Sequence, residues 1–438
     1  MKKKIVTTPF DRYMKPPKQN LFFMPIIWLY CWWVTKKAKL RINKVGMKGL
    51  KPPFLVLGSH HAFMDFCVTP LALFPHRANY ISELEGFEAY GEWLYRQVGC
   101  LGTRKFVNDL ALIKNIRRVI ERNGILVLYP EARYANVGTN SQLPESVGKL
   151  AKMLKVPVVV INMRGNYLQS PIWNLTMRNE AKLEATITQV FTREELGKAT
   201  ISEINEKLQE FLTYDEYSWQ YETKQAITYE KRAEGLELVL YQCPVCKYEF
   251  KMASEGAELF CRQCGERWYM TEYGRMEHLS KNKQTKRLND EMADTLDFAH
   301  IPNWYEWERK QVINEIDKGT YFLNIKVHIE SLPNAVNFID LGEGGLLHDK
   351  TGFYLTLKDY GEDEEKTLHF LPITMTSIHT EYNYRGKGQC VTLSTLDNTY
   401  FLFPRGEGFN ATKIQFATEY LYEVDKGKKH KNYEYHYD

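Results

Sequence analysis

The stretch Phe54-Leu55-Val56-Leu57-Gly58-Ser59-His60-His61-Ala62-Phe63-Met64-Asp65 sets an apolar run directly before a histidine that stands five positions ahead of a carboxylate. A short, continuous apolar run ended by glycine predicts a buried strand. Ser59 is then a helix N-cap residue type, and the segment after it predicts a helix. If His60 and Asp65 were both helical, a five-residue step would place them about 140° apart around the axis. The two meet only when His60 lies at the helix start, one ring nitrogen on Asp65 and the other free to take a proton. Such a pair is a catalytic base with its orienting acid. With 11 histidines in the chain the spacing also arises by accident, as a surface histidine at a helix start, so the segments that follow decide.

Three such segments come in order. Gly99-Cys100-Leu101-Gly102-Thr103-Arg104 is a glycine-broken apolar stretch ending in a cation; Leu126-Val127-Leu128-Tyr129-Pro130-Glu131-Ala132-Arg133 runs from an apolar strand into a charged turn. Lys155-Val156-Pro157-Val158-Val159-Val160-Ile161 is almost continuously β-branched, which predicts a strand buried on both faces in a parallel sheet. On these four blocks the chain, over roughly residues 20–220, resembles the lysophospholipid acyltransferase family, which includes the 1-acyl-glycerol-3-phosphate acyltransferases. That family reads Asn-His-x4-Asp, a second block ending in Arg, Pro-Glu-Gly-Thr-Arg and a Val-Pro-Val-Val strand. Two departures stand out: Ser59 replaces the asparagine, and in the third block Ala132 replaces the glycine while the arginine falls one position early, at Arg133.

The resemblance implies an α/β sheet flanked by helices, with His60 and Asp65 catalytic and Arg104, Glu131 and Arg133 binding substrate. Guanidinium suits the acceptor's phosphate because its contacts are bidentate and always charged; the plain alternative for each arginine is a salt bridge. The blocks hold no serine or cysteine nucleophile in a strained elbow, so the implied chemistry is direct transfer. His60 takes the proton of an acceptor hydroxyl as it attacks a thioester carbonyl and returns it to the departing thiolate, while backbone N–H groups near the start of the His60 helix steady the oxyanion. Cys67 is expected to be core packing.

Residues 21–34 (LFFMPIIWLYCWWV) carry no charge and are bracketed by Lys15 and Lys18 before and by Lys36, Lys37, Lys39 and Arg41 after. Fourteen residues are too few to span a bilayer, which takes about 20. The tryptophans and the flanking cations predict a helix lying in the interface of a membrane's cytoplasmic face, each cation near anionic lipid adding on the order of 1 kcal/mol. The lack of a small-residue cleavage site after the run argues against a signal peptide; a buried core helix is the other alternative. The net charge of +4 is too small to point to nucleic acid, and none is expected as a partner.

Four of the eight cysteines form Cys243-Pro244-Val245-Cys246 and Cys261-Arg262-Gln263-Cys264-Gly265, with fourteen residues between the pairs. This is zinc-ribbon spacing: two thiolate turns closing a tetrahedral Zn2+ site. Gly265 suits the sharp knuckle. Two disulfides are the alternative, disfavoured by the expected cytoplasmic location. Glu249, Glu255, Glu258 and Glu266 interrupt any basic stripe, so the ribbon's expected role is structural.

The expected organisation is a membrane-interfacial segment over residues 1–45, a catalytic domain over 46–230, the zinc ribbon over 236–275, a helical linker over 276–319 that includes the basic run 281–287, a β-rich domain over 320–426 and a polar tail over 427–438. Helical spacing is expected over 192–229 and 302–316. Short alternating runs near residues 321–327, 352–357 and 399–403, followed by a helix over 411–424, predict an antiparallel domain, similar in layout alone to pleckstrin-homology or GRAM-type modules. The expected function is acyl transfer from acyl-CoA or acyl-carrier-protein to a lysophospholipid hydroxyl, with 1-acyl-glycerol-3-phosphate as the acceptor. The alternative is a membrane-associated lipid-sensing adaptor with a weakened fold of the same kind, its β domain engaging a partner.

Overall fold

The computed structural model describes residues 5–279 and 297–427; the basic run 281–287 and the tail from residue 428 lie outside the described residues. The first unit is a seven-stranded sheet of β1 (Arg41–Val45), β2 (Phe54–Gly58), β3 (Asn79–Glu83), β4 (Cys100–Thr103), β5 (Ile125–Leu128), β6 (Val158–Arg164) and β7 (Glu184–Phe191), in the order β1-β7-β6-β2-β5-β3-β4. Every neighbouring pair is parallel except β6 and β7. The quoted apolar run is the central strand β2, in register with β5 (Leu57 opposite Leu128) and with β6 (Gly58 opposite Ile161). Its continuous apolarity has a direct cause. Phe54 and Val56 enter one core with helices α1 (Met24–Lys36) and α2 (Asp65–Leu73), while Leu55 and Leu57 enter another against helices Leu110–Glu121, Ser146–Leu154 and Ile201–Leu212. A strand covered on both faces has no polar side to show.

The expected helical stretch over 192–229 divides into helices Arg193–Lys198, Ile201–Leu212 and Glu216–Glu222. Two capping boxes, Thr192 with Glu195 and Thr200 with Glu203, set the first two starts.

The four-cysteine unit carries β8 (Met252–Glu255), β9 (Glu258–Cys261), β10 (Arg267–Met270) and β11 (Met276–His278) in one antiparallel sheet. Helix Ile301–Asp317 follows, with Pro302 in its first turn. Its Trp304, Tyr305 and Trp307 are buried as packing. The last unit is an antiparallel sheet of β12 (Leu323–Ser331), β13 (Ile339–Asp349), β14 (Gly352–Lys358), β15 (Glu365–Phe370), β16 (His379–Glu381), β17 (Cys390–Ser394) and β18 (Thr399–Arg405), in the order β15-β14-β13-β12-β18-β17-β16, closed by helix Ala411–Asp425. One apolar cluster runs without a break from Val137 and Tyr167 in the first unit through Leu259 and Trp268 to Leu402 and Phe416 in the last.

The amino-terminal segment behaves in two ways. Residues before α1 strap the units together: Phe10 N–H donates to Pro333 O (2.9 Å), Asn334 Nδ2 donates to Val6 O (2.7 Å), and Arg122 donates to the Pro16 and Pro17 carbonyls. The α1 helix packs on α2 and buries Met24, Cys31 and Thr35, while Ile26, Leu29, Trp32 and Trp33, and Phe22 just before the helix, are exposed. No helix among the described residues is long and apolar enough to cross a membrane.

Candidate active site

Parallel strands bring their carboxyl ends to one edge, where ligands of such sheets sit. At this edge β2 delivers His60, β3 delivers Glu83, β4 leads to Arg104 and Lys105, β5 leads to Glu131, and β6 leads to Asn166. The helix after β2 starts at Asp65 rather than at His60, and no side chain caps it. Ser59 therefore caps nothing. Its hydroxyl accepts from Met163 N–H (3.0 Å) and pairs with His61 Nε2 (2.8 Å), pinning the end of β2 to β6. The intervening residues form a turn around the Asp65 carboxylate, and this turn, not a helical start, brings the pair together.

Asp65 is fully buried. Its Oδ2 accepts from His60 Nδ1 (3.0 Å), His61 N–H (2.7 Å) and Ala62 N–H (3.1 Å), and its Oδ1 accepts from Asn166 Nδ2 (2.7 Å). With Nδ1–H donating to Asp65, the lone pair of His60 is on Nε2, which has no partner among the described residues; the side chain is 10% exposed. Tyr129 stacks on the imidazole at 4.5 Å, and Phe66 and Tyr134 meet it edge-on. Gly58 makes the stack possible, because a Cβ there would lie 2.7 Å from the Tyr129 ring. His61 faces away into the core, stacked on Tyr214, and burial holds it neutral, well below the ordinary histidine range.

The N–H groups of His60, His61 and Ala62, expected to be free for an oxyanion, are all bound to carboxylates: His60 N–H donates to Glu131 Oε1 (3.1 Å) and the other two to Asp65. Closing the turn uses them. The next two, on Phe63 and Met64, have no acceptor among the described residues.

Glu131 binds main chain on both sides of the site, its Oε2 accepting from Ser141 N–H (2.8 Å). Burial raises its carboxyl to about 7 against the pull of those two N–H donors and of Arg133. Ala132 beside it sits at φ +55°, the left-handed region where the resembled block carries glycine; for a residue with a Cβ this costs on the order of 1 kcal/mol. The Ala135 N–H bond to His60 O (3.1 Å) closes the loop over the histidine.

Arg104 and Arg133 lie at the same edge, but both guanidinium groups are occupied by the chain itself. Arg104 is buried and donates to the carbonyls of Leu332, Pro333 and Asp397 and to Thr399 Oγ1; burial lowers it to about 10. Arg133 donates to Glu419 Oε1 (2.7 Å), Ser377 Oγ (2.6 Å) and Ser141 Oγ (2.9 Å). Glu419 also binds Arg309, and although burial opposes it the two arginines hold its carboxyl at about 2. The side chains expected at an acceptor phosphate thus join the first unit to the last. Asn166 and Tyr129 are not among the site residues expected from the blocks. The available signal for Asn166 is a polar residue just past a fully apolar parallel strand.

In the four-cysteine unit the Sγ atoms lie within 4.8 Å of one another, the Cys243–Cys264 and Cys246–Cys261 pairs each at 3.7 Å. Four sulfurs about 2.3 Å from a central ion would stand about 3.8 Å apart. None of the four forms a disulfide. The two knuckles match: Lys247 N–H donates to Cys243 O and Gly265 N–H to Cys261 O, and Lys247 and Gly265 both hold positive φ, +62° and +79°.

No family model matches this chain, and no curated protein matches it. Among solved structures it is similar to the 1-acyl-sn-glycerophosphate (LPA) acyltransferase PlsC from Thermotoga maritima, with 15% identity, 44% of this chain and 77% of that chain covered, and a TM-score of 0.38.

The raised Glu131 carboxyl fixes a pH dependence. With a folded pKa of about 7 against an ordinary value of 4.5, the folded protein retains a proton that the unfolded chain has lost; this contribution is complete below about pH 4.5 and is lost as pH rises through 7. Glu131→Gln stays neutral throughout, apart from a constant offset for the lost Ser141 acceptor. Urea unfolding from pH 5 to 8 should therefore show the native protein losing stability relative to Glu131→Gln by a few kcal/mol; parallel curves would contradict the assignment.

Proposed function

We propose that this chain is an acyltransferase that moves a fatty acyl group from a thioester, acyl-CoA or acyl-carrier-protein, to the hydroxyl of a lysophospholipid-like acceptor at a membrane surface. The observation that carries the reading is the Asp65–His60 pair, in which the carboxylate fixes Nδ1 at 3.0 Å and leaves Nε2 unpartnered among the described residues. In the proposed reaction Nε2 takes the acceptor's hydroxyl proton as the oxygen attacks the thioester carbonyl. A C–O bond forms, the C–S bond of the tetrahedral intermediate breaks, and the proton passes from Nε2 to the leaving thiolate. Asp65 holds the tautomer and balances the imidazolium. The Phe63 and Met64 N–H groups are the proposed oxyanion donors, and their worth comes from being fixed before the charge develops. The order of the four blocks supports the same reading.

The acceptor expected from those blocks, 1-acyl-glycerol-3-phosphate, would need a cation for its phosphate, and Arg104 and Arg133 are already bound elsewhere. This also favours a second reading, in which the chain is a lipid-sensing adaptor without turnover. The coupled base and acid argue for the enzyme, since an adaptor has no physical use for them.

The exposed Ile26, Leu29, Trp32 and Trp33 of α1, with Phe22 just before it, are the proposed contact with the cytoplasmic leaflet. Cys243, Cys246, Cys261 and Cys264 are proposed to hold a structural Zn2+, which would stabilise a small unit with little core of its own.

Purified protein given labelled acyl-CoA or acyl-carrier-protein and a panel of lysolipids should yield product that falls by roughly 10²-fold or more in His60→Ala; equal product from the variant would sink the mechanism. In flotation assays with anionic vesicles, Trp32→Glu/Trp33→Glu should lose most binding, and undiminished binding would remove α1 from the interface. Metal analysis of protein prepared under reducing conditions should find about one zinc per chain, and a metal-free, folded protein would remove the ribbon.

A further inference from the structure

A cavity of about 240 Å³ opens at the seam between the segment after β4 and the carboxy-terminal sheet, lined among others by Lys105, Phe106, Asn108, Phe370, Ser377 and Thr392. Two residues of its lining link it to the site described above. Ser377 accepts from Arg133, whose chain neighbour Tyr134 packs on the His60 ring at 4.7 Å. Lys105 pairs with Glu83, at the carboxyl end of β3, and lies 3.1 Å from His379 Nδ1.

Its chemistry is specific. Lys105 is the one ionisable residue in the lining among the described residues, and Glu83 neutralises it. Thr392 is only 5% exposed, yet its hydroxyl has no partner among the described residues, and the Asn108 amide, at an exposed position, has none either. Phe106 and Phe370 supply apolar wall, and Phe106 is held at φ +56°, a conformation that a bulky residue keeps only where packing imposes it. A phosphate dianion entering this space would give up part of its water with no free cation to compensate it. A neutral ring of hydroxyls loses little, because its O–H groups meet Thr392 and Asn108 and its C–H faces meet the phenylalanines.

Position points the same way. None of the lining residues is among those that touch the His60 ring, so a group in the cavity is not the reacting hydroxyl but another part of the acceptor. From this we infer that the cavity holds an uncharged, polyhydroxylated head group, of the size and chemistry of a single hexose, on the lipid whose hydroxyl is acylated. The inference rests on the acyl-transfer reading above and names the acceptor class for it.

The test uses the full chain, labelled acyl-CoA and three acceptors: 1-acyl-glycerol-3-phosphate, a monoacylglycerol bearing one hexose, and free hexose. The hexosyl lipid should exceed the phosphate acceptor at least tenfold in kcat/KM, and free hexose should give no product. Asn108→Trp, at an exposed loop position, and Thr392→Val, which removes the hydroxyl at nearly constant volume, should each raise KM for the hexosyl lipid several-fold. Preference for the phosphate acceptor, or an unchanged KM in both variants, would overturn the cavity assignment and leave the acyl-transfer reading standing. Equal use of free hexose would overturn the lipid acceptor. Failure of all three acceptors, with no His60-dependent product, would overturn both.

Discussion

A carboxylate sealed in the interior has to be met by hydrogen-bond donors, and the buried Asp65 draws the site around itself for that reason. Its two oxygens take four N–H groups: two from the main chain of the turn, one from the His60 ring and one from Asn166. Three of these donors come from the turn itself, and the fourth, Asn166, reaches it because β2 and β6 lie side by side in parallel, with Gly58 opposite Ile161. Slipping that register by one residue would turn the Ser59 tie to Met163 and the Asn166 amide to the wrong face. The turn that sets His60 is thus anchored by sheet pairing, through Ser59 and Asn166, and the sheet pairing is secured by two apolar cores.

The same logic of satisfied charge joins the two ends of the chain. Arg104 is held almost wholly by carbonyl oxygens of the carboxy-terminal unit, and Arg133 shares Glu419 with Arg309. Neither guanidinium can leave without stranding buried acceptors, so the carboxy-terminal sheet forms part of the wall around the site. Arg133 meets Glu419 directly after Ala132, which holds a left-handed conformation. With both arginines placed in this way, the open space beside the site is neutral and rich in hydroxyl groups.

At the opposite extreme of polarity, α1 keeps one narrow face on α2 and shows tryptophan, leucine and isoleucine to the outside. Its lack of a polar outer face is what separates it from the other helices on the sheet, such as Ile201–Leu212, whose outward side is charged.

Periodicity and spacing, which are local properties, are readable from the sequence. Continuous apolarity in residues 54–58 and 158–161 marks buried strands, which pair in parallel with each other although the second is antiparallel to β7, the two Cys-x-x-Cys pairs mark a four-sulfur cluster, and alternation after residue 320 marks an antiparallel sheet with a closing helix. The His60–Asp65 spacing also marks the pairing, although a turn around the carboxylate achieves it and not the helix start capped by Ser59 that the spacing predicts. Partnerships across long separations are decided only in the tertiary structure. Asn166 reaches Asp65 from 101 positions away, and Arg133 meets Glu419 across 286. A guanidinium reads identically in sequence whether it awaits a phosphate or neutralises a buried carboxylate. Only the fold, by choosing which charges are taken out of water together, distinguishes the two.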